Sequence, residues 1–157
     1  MRKTLFILAL IGVVGVQGAQ ARDVEHNLSI AEIMADAEVR SRLGSDVTFY
    51  FSGQPTPRVG KSFGDVVTNR KTNSFGKPDA SACRWAMLSA LIHLRDRAKQ
   101  LGGNAVVNIV SYYKKDTQAS STTYECHAGN VVAGVALKGT VAVVGTGAPP
   151  TARQGTR

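Results

Sequence analysis

The sequence predicts a small α+β domain, a sandwich in which one long helix and a short N-terminal helix lie against a largely antiparallel sheet. Three observations predict it. Between Ala82 and Leu101, the residues Cys83, Met87, Ala90, Leu91, Leu94, Ala98 and Leu101 recur at helical spacing on one stripe. Runs of β-branched and aromatic residues, bounded by Gly, Asn, Ser and Pro, stand both before and after that helix. Two cysteines complete the pattern: Cys83 lies on the helix stripe and Cys126 lies in a downstream strand run, so one disulfide would staple helix to sheet.

The elements follow in order. Arg2 and Lys3 precede an apolar run from Leu5 to Val16, and Ala19-Gln20-Ala21 has the small-x-small pattern of a signal-peptidase site. Residues 1–21 therefore read as a secretory signal peptide whose apolar run is too short to span a membrane. Cleavage after Ala21 leaves about 136 residues, enough for one domain with a core. No cysteine stands at the cleavage site to carry a lipid, so the expected product is a soluble periplasmic protein without a transmembrane segment. Residues 22–144 are expected to form the domain. Residues 145–157, rich in Gly, Pro, Thr and Arg, read as a disordered tail.

Within the domain, Ser29 and Glu32 have capping-box spacing, and Ile30, Ile33, Met34 and Ala37 share one face, which predicts a helix over 30–43 ended by Gly44. Val47–Phe51 and Asp65–Arg70 read as strands separated by a Gly/Pro loop. The long helix follows over 82–101, capped by Asp79 or Ser81 and stopped by Gly102-Gly103. It carries a second, narrower apolar strip of Trp85, Leu88 and Ile92, which must meet the first helix, a loop or a second copy of the chain. Strands are then expected over 105–113, 122–127 and 131–144, the last with bends at Gly134 and Gly139.

Three segments of this region carry a family resemblance. The run Ala90, Leu91, Leu94, Ala98, Leu101, Gly102, Gly103, Asn104, Ala105, Val106, Val107 joins a helix to a strand through an L-G-x-N-A-V element. It is similar to the corresponding element of a small bacterial heavy-metal-binding domain family, and to the core of the Rcs-type envelope-stress sensor lipoproteins. ACRWAMLSAL, NAVVNIVSYYKK and YECHAGNVVAGVALKGT, which cover most of Ser81 to Thr140, resemble a family of short secreted proteobacterial proteins often labelled as an excinuclease ATPase subunit. These resemblances imply an envelope protein, with metal binding as one activity. ATPase chemistry is not expected from the residues: the fragment Gly60-Lys61-Ser62 has Pro55 where a phosphate loop requires its first glycine.

No catalytic constellation stands out. His26, His93, His127, Cys83 and Cys126 show none of the paired spacings of a zinc site, and Cys126 and His127, as strand neighbours, should point to opposite faces. Ser74–Lys77 and Ser111–Lys114 match Ser-x-x-Lys but lack the companion elements of that enzyme class. The formal charge of +8 falls to +6 when Arg2 and Lys3 leave with a segment that has no acid. Such a domain is attracted to anionic envelope components, and its densest cationic points are the doublets Arg70-Lys71 and Lys114-Lys115. Neither doublet is interleaved with aromatics as a single-strand nucleic-acid groove would be, so no specific nucleic-acid partner is expected. The reading is a non-enzymatic binding or interaction module of the envelope, with no cofactor and no metal ligands. Self-association through the Trp85, Leu88, Ile92 strip or an open sheet edge is the second partner expectation, and a metal-binding periplasmic protein is the alternative.

Overall fold

The structure, a computed structural model, describes residues 22–145. The signal peptide expected over 1–21 and the tail expected beyond Gly145 lie outside the described residues. Ten elements follow one another: β1 (Val24–Ser29), α1 (Ile30–Ala35), α2 (Ala37–Leu43), β2 (Thr48–Phe51), β3 (Val59–Asn73), α3 (Asp79–Leu101), β4 (Ala105–Ser111), a 3-10 turn (Tyr113–Lys115), β5 (Thr123–Ala128) and β6 (Val132–Val144). The α+β class is as the sequence predicts. No helix among the described residues is long and apolar enough to cross a membrane.

β6 is the spine of the sheet. Along one edge it pairs antiparallel with β3, from Val59↔Val144 to Asn73↔Val132. Along the other edge it pairs first with β5, at His127↔Gly134 and Ala128↔Ala133, and then with β4, from Ser111↔Leu137 to Ala105↔Ala142. β1 adds antiparallel to β5 and β2 adds parallel to β4, so the sheet forks into two branches beyond β6. Every pairing except β2–β4 is antiparallel.

α3 fills the inner face of this sheet. Met87, Ala90, Leu91, Leu94 and Ala98 have no exposed surface and pack with Val106, Ile109, Val135, Leu137 and Val141. Cys83 and Cys126 form the expected disulfide inside this cluster, both fully buried. The helix starts three residues earlier than the periodicity indicates, with Pro78 and not Asp79 or Ser81 at the cap position. Asn108, at φ 51°, makes a bulge in β4 that keeps Val106 and Ile109 on the same inner side, where simple alternation would separate them.

The narrow strip on α3 is partly covered within the chain. Leu88 is 2% exposed, so it belongs to the core and offers no surface to a partner. Trp85 and Ile92 are half-buried against the same cluster, and the Arg42 and Arg84 guanidinium groups sit 5.3 and 5.1 Å from the Trp85 ring. The reason is that α1 and α2 fold back onto α3: Arg84 is bonded to Asp36 and Glu38, Arg95 donates to the Arg42 carbonyl, and Lys99 pairs with Asp46.

The helix expected over 30–43 is two helices. Asp36 ends α1 and caps α2, accepting from the Glu38 and Val39 amides at 2.9 and 3.1 Å. A short carboxylate that bonds nearby amides competes with the continuing helix, and here it wins. The Arg84 guanidinium, then the Val39 amide, hold the Asp36 carboxyl down to about 2. A carboxyl with a lowered native pKa stabilises the fold above its unfolded value, and that contribution is lost as pH falls through the native one. Acid titration between about pH 4 and pH 2 is therefore expected to destabilise the wild type more steeply than Asp36→Asn, as read from urea midpoints at each pH. Equal slopes would remove Asp36 from the account.

Candidate functional site

Strand alternation separates two faces of β5. Tyr124, Cys126 and Ala128 turn toward α3, whereas Glu125 and His127 share the opposite, outer face. β1 brings its own residues into line there, with Glu25 across from His127 and Asn27 across from Glu125. Cys126 and His127 thus point apart, as neighbouring strand residues should.

A covering piece comes from the 3-10 turn. Lys114 and Lys115 have φ of 50° and 71°, a left-handed pair of non-glycine residues that costs on the order of 1–3 kcal/mol each. The turn lays the Tyr113 ring flat on the His127 ring, with centroids 3.5 Å apart and planes 14° apart. His127 is held at both nitrogens: Nδ1 lies 2.9 Å from Asp23 and Nε2 lies 2.6 Å from Glu125. The Tyr113 hydroxyl donates to the other Asp23 oxygen at 3.1 Å. The His127 hydrogen bond holds the Asp23 carboxyl below its usual range, while burial and then the bond to Asp23 push the Tyr113 phenol up. Glu125 is 5% exposed, and its amide hydrogen is taken by the Ser111 hydroxyl.

This stack forms part of a cleft of about 560 Å3, bordered also by Arg22, Asn69, Lys71, Lys114 and Asn130. Arg22 pairs with Asp79, which also holds His26. Lys71 and Lys114 form no ion pair among the described residues, although Asp23 also borders the cleft and the Lys114 charge helps to keep its carboxyl ionised; the Lys114 ammonium lies 4.9 Å from the Tyr113 ring centroid. β3 supplies Lys71 and Asn69 because odd-numbered residues there face away from the core that Val66 and Thr68 join. The two cationic doublets seen in the sequence, far apart in the chain, each place one lysine in this cleft.

Of the sequence's metal-ligand candidates, only His127 joins a donor group among the described residues. Cys83 and Cys126 are bonded to each other, and His26 lies on Asp79. His93 is half-buried on α3: its Nδ1 is enclosed without a hydrogen-bond partner among the described residues, and burial, then Arg70 and Arg97, lower its pKa. The donors that do converge are Glu25, Glu125 and His127, whose ligand atoms lie within 4.8 Å of one another. Glu25 was hidden because the strand that carries it has no apolar alternation, and Glu125, on a strand the sequence did predict, gained its neighbours only through the β1–β5 register. Compared with known proteins, the chain matches no family model, no curated protein and no solved structure.

Proposed function

We propose that this chain is an exported, non-enzymatic binding module of the bacterial envelope, and that the outer-face cleft takes a phosphate-bearing anionic component of that envelope. One observation supports the reading: Lys71 and Lys114, from separate cationic doublets and in no ion pair among the described residues, border one cleft beside the Tyr113–His127 stack. Ammonium groups outside any ion pair bind phosphate as point charges, and the flat ring pair offers an apolar platform beside them; Asp23, also in the cleft, is engaged by His127 and Tyr113. The signal-peptide pattern of residues 1–21 and the buried disulfide both fit an oxidising compartment outside the cytoplasm.

The test is sedimentation with phosphatidylglycerol vesicles against phosphatidylcholine vesicles. Binding to the anionic vesicles alone is expected, weakening as salt rises. Lys71→Glu with Lys114→Glu, both on exposed positions, should abolish it without lowering the melting temperature. Retention of wild-type binding by the double variant would remove the cleft from the reading.

A second reading has its own observation in the Glu25, Glu125 and His127 donors. Two carboxylates and one imidazole suit Zn2+, and Asp23 on Nδ1 is the type of carboxylate partner that orients a metal-bound imidazole. Native mass spectrometry with added Zn2+ separates the readings. One ion retained by the wild type and none by His127→Ala would favour metal binding, and uptake unchanged by that substitution would refute it.

A further inference from the structure

We infer that the end of the sheet beside the outer-face cleft is a membrane-docking tip. Phe75 enters the acyl region of an anionic phospholipid bilayer there, while Lys71, Lys77 and Lys114 meet its phosphates. The inference rests on the reading of the cleft proposed above, and it names a bilayer surface, not a free phosphate, as what the cleft meets.

Two chain reversals form the tip. One is the turn over 129–131 between β5 and β6, and the other is the segment over 74–78 between β3 and α3. Ser74 ties them together. Its amide donates to the Val131 carbonyl and its hydroxyl to the Gly129 carbonyl, both at 2.8 Å, and it is buried. Asn73, just before it, lies across from Val132 in the β3–β6 ladder. The Phe75 amide donates to Asn73 Oδ1 at 2.8 Å, and the Lys77 amide closes the turn on the Ser74 carbonyl at 3.1 Å.

On this tied backbone the side chains face outward. Phe75 is 74% exposed, Val131 59% and Val132 45%, the first being the most exposed large apolar residue among those described. Apolar side chains gathered in water on a fixed turn mark a surface that something apolar covers. Val131 and Val132 also border the cleft that Lys71 and Lys114 border, so the apolar patch and the cations are continuous.

The charge selects the covering surface. Lys77 is held at the tip by its ammonium bond to the Asn73 carbonyl, and Lys71, Lys77 and Lys114 form no ion pair among the described residues. The acids near this end are engaged: Asp23 by His127 and Tyr113, Asp79 by Arg22 and His26, and Glu25 by Asn27. A soluble polyanion would answer the lysines and leave Phe75 in water. An uncharged apolar groove would cover Phe75 and leave the lysines unanswered. An anionic bilayer supplies both, phosphates at its surface and acyl chains beneath them.

The experiment measures binding to phosphatidylglycerol vesicles by sedimentation, together with tryptophan fluorescence. Phe75→Ser, on an exposed position, should keep the melting temperature and weaken vesicle binding about tenfold. Val59→Ser changes an exposed apolar residue at the opposite end of β3 and should bind as the wild type does. Phe75→Trp should shift its emission to the blue on these vesicles and be quenched by brominated acyl chains. Trp85, the single native tryptophan, packs against the core and should show neither change in the wild type. Wild-type binding by Phe75→Ser, with Lys71→Glu/Lys114→Glu still defective, would overturn the tip and leave the cleft reading standing. Wild-type binding by that lysine variant would remove the cleft reading and this inference with it. An unshifted Phe75→Trp emission, or an equal loss in Val59→Ser, would overturn the tip alone.

Discussion

Removal of the Cys83–Cys126 disulfide is expected to cost about 4 kcal/mol and to lower the melting temperature by about 15 °C. The bridge spans 43 residues, and on the chain-entropy account a loop of that length restricts the unfolded ensemble by about that much. The position matters as well as the length. Both cysteines are fully buried, one on α3 and one on β5, so the bond ties the helix to the branch of the sheet that carries His127. Cys83→Ala with Cys126→Ala isolates the loss of the bond. Either single serine variant is expected to be worse than its alanine counterpart, because it leaves a hydroxyl in an apolar interior at about 1–3 kcal/mol. Reversible urea unfolding of oxidised and reduced wild type gives the direct comparison. Coincident midpoints would show that the bond contributes nothing to equilibrium stability.

The second large effect is expected at Gly103. A β-carbon there would lie 2.7 Å from Val141 Cγ1 and 2.9 Å from the Ala142 carbonyl oxygen. One of those neighbours is backbone of the spine strand and has nowhere to go, so Gly103→Ala should cost about 3 kcal/mol. Gly102 beside it is glycine for another reason. It is the left-handed cap of α3 at φ 80°, with open space where a β-carbon would stand, and its alanine variant should cost only about 1 kcal/mol. Asn104 completes the segment by bonding both the amide and the carbonyl of Val144. The three residues of Gly-Gly-Asn therefore stop the helix, let the chain pass close to β6, and lock it to the end of β6. Denaturation curves that rank Gly102→Ala as the costlier change would contradict this division of roles.

What the sequence made legible is where burial is strong. The α3 stripe, the strands at 48–51 and 132–144, and the cysteine pair all carry apolar patterns because their side chains enter one core. What it hid lies at edges. Val24–Ser29 has no buried residue, so it shows no apolar alternation and no strand is predicted there. β3 spans 15 residues, but only Val66 and Thr68 are buried, and its visible portion shrank to Asp65–Arg70. The break at Asp36 is a contest between a side-chain cap and a continuing helix, which apolar periodicity does not register. The outer-face cleft was hidden for the same reason. It depends on the β1–β5 register that sets Glu25 against His127, and on a left-handed lysine pair that folds Tyr113 back. Both cationic doublets were visible, but not their convergence.

The pairing of β1 with β5 also governs when this chain is able to fold. The first strand finds its hydrogen-bonding partner only near the far end of the domain, and the spine strand that joins both branches comes last of all. A chain delivered amino end first consequently carries unpaired strands until almost all of it has emerged. Long-range pairings of this kind slow folding, because distant segments must meet before any contact repays the lost freedom. The sheet therefore closes only when β6 has joined β3, β4 and β5.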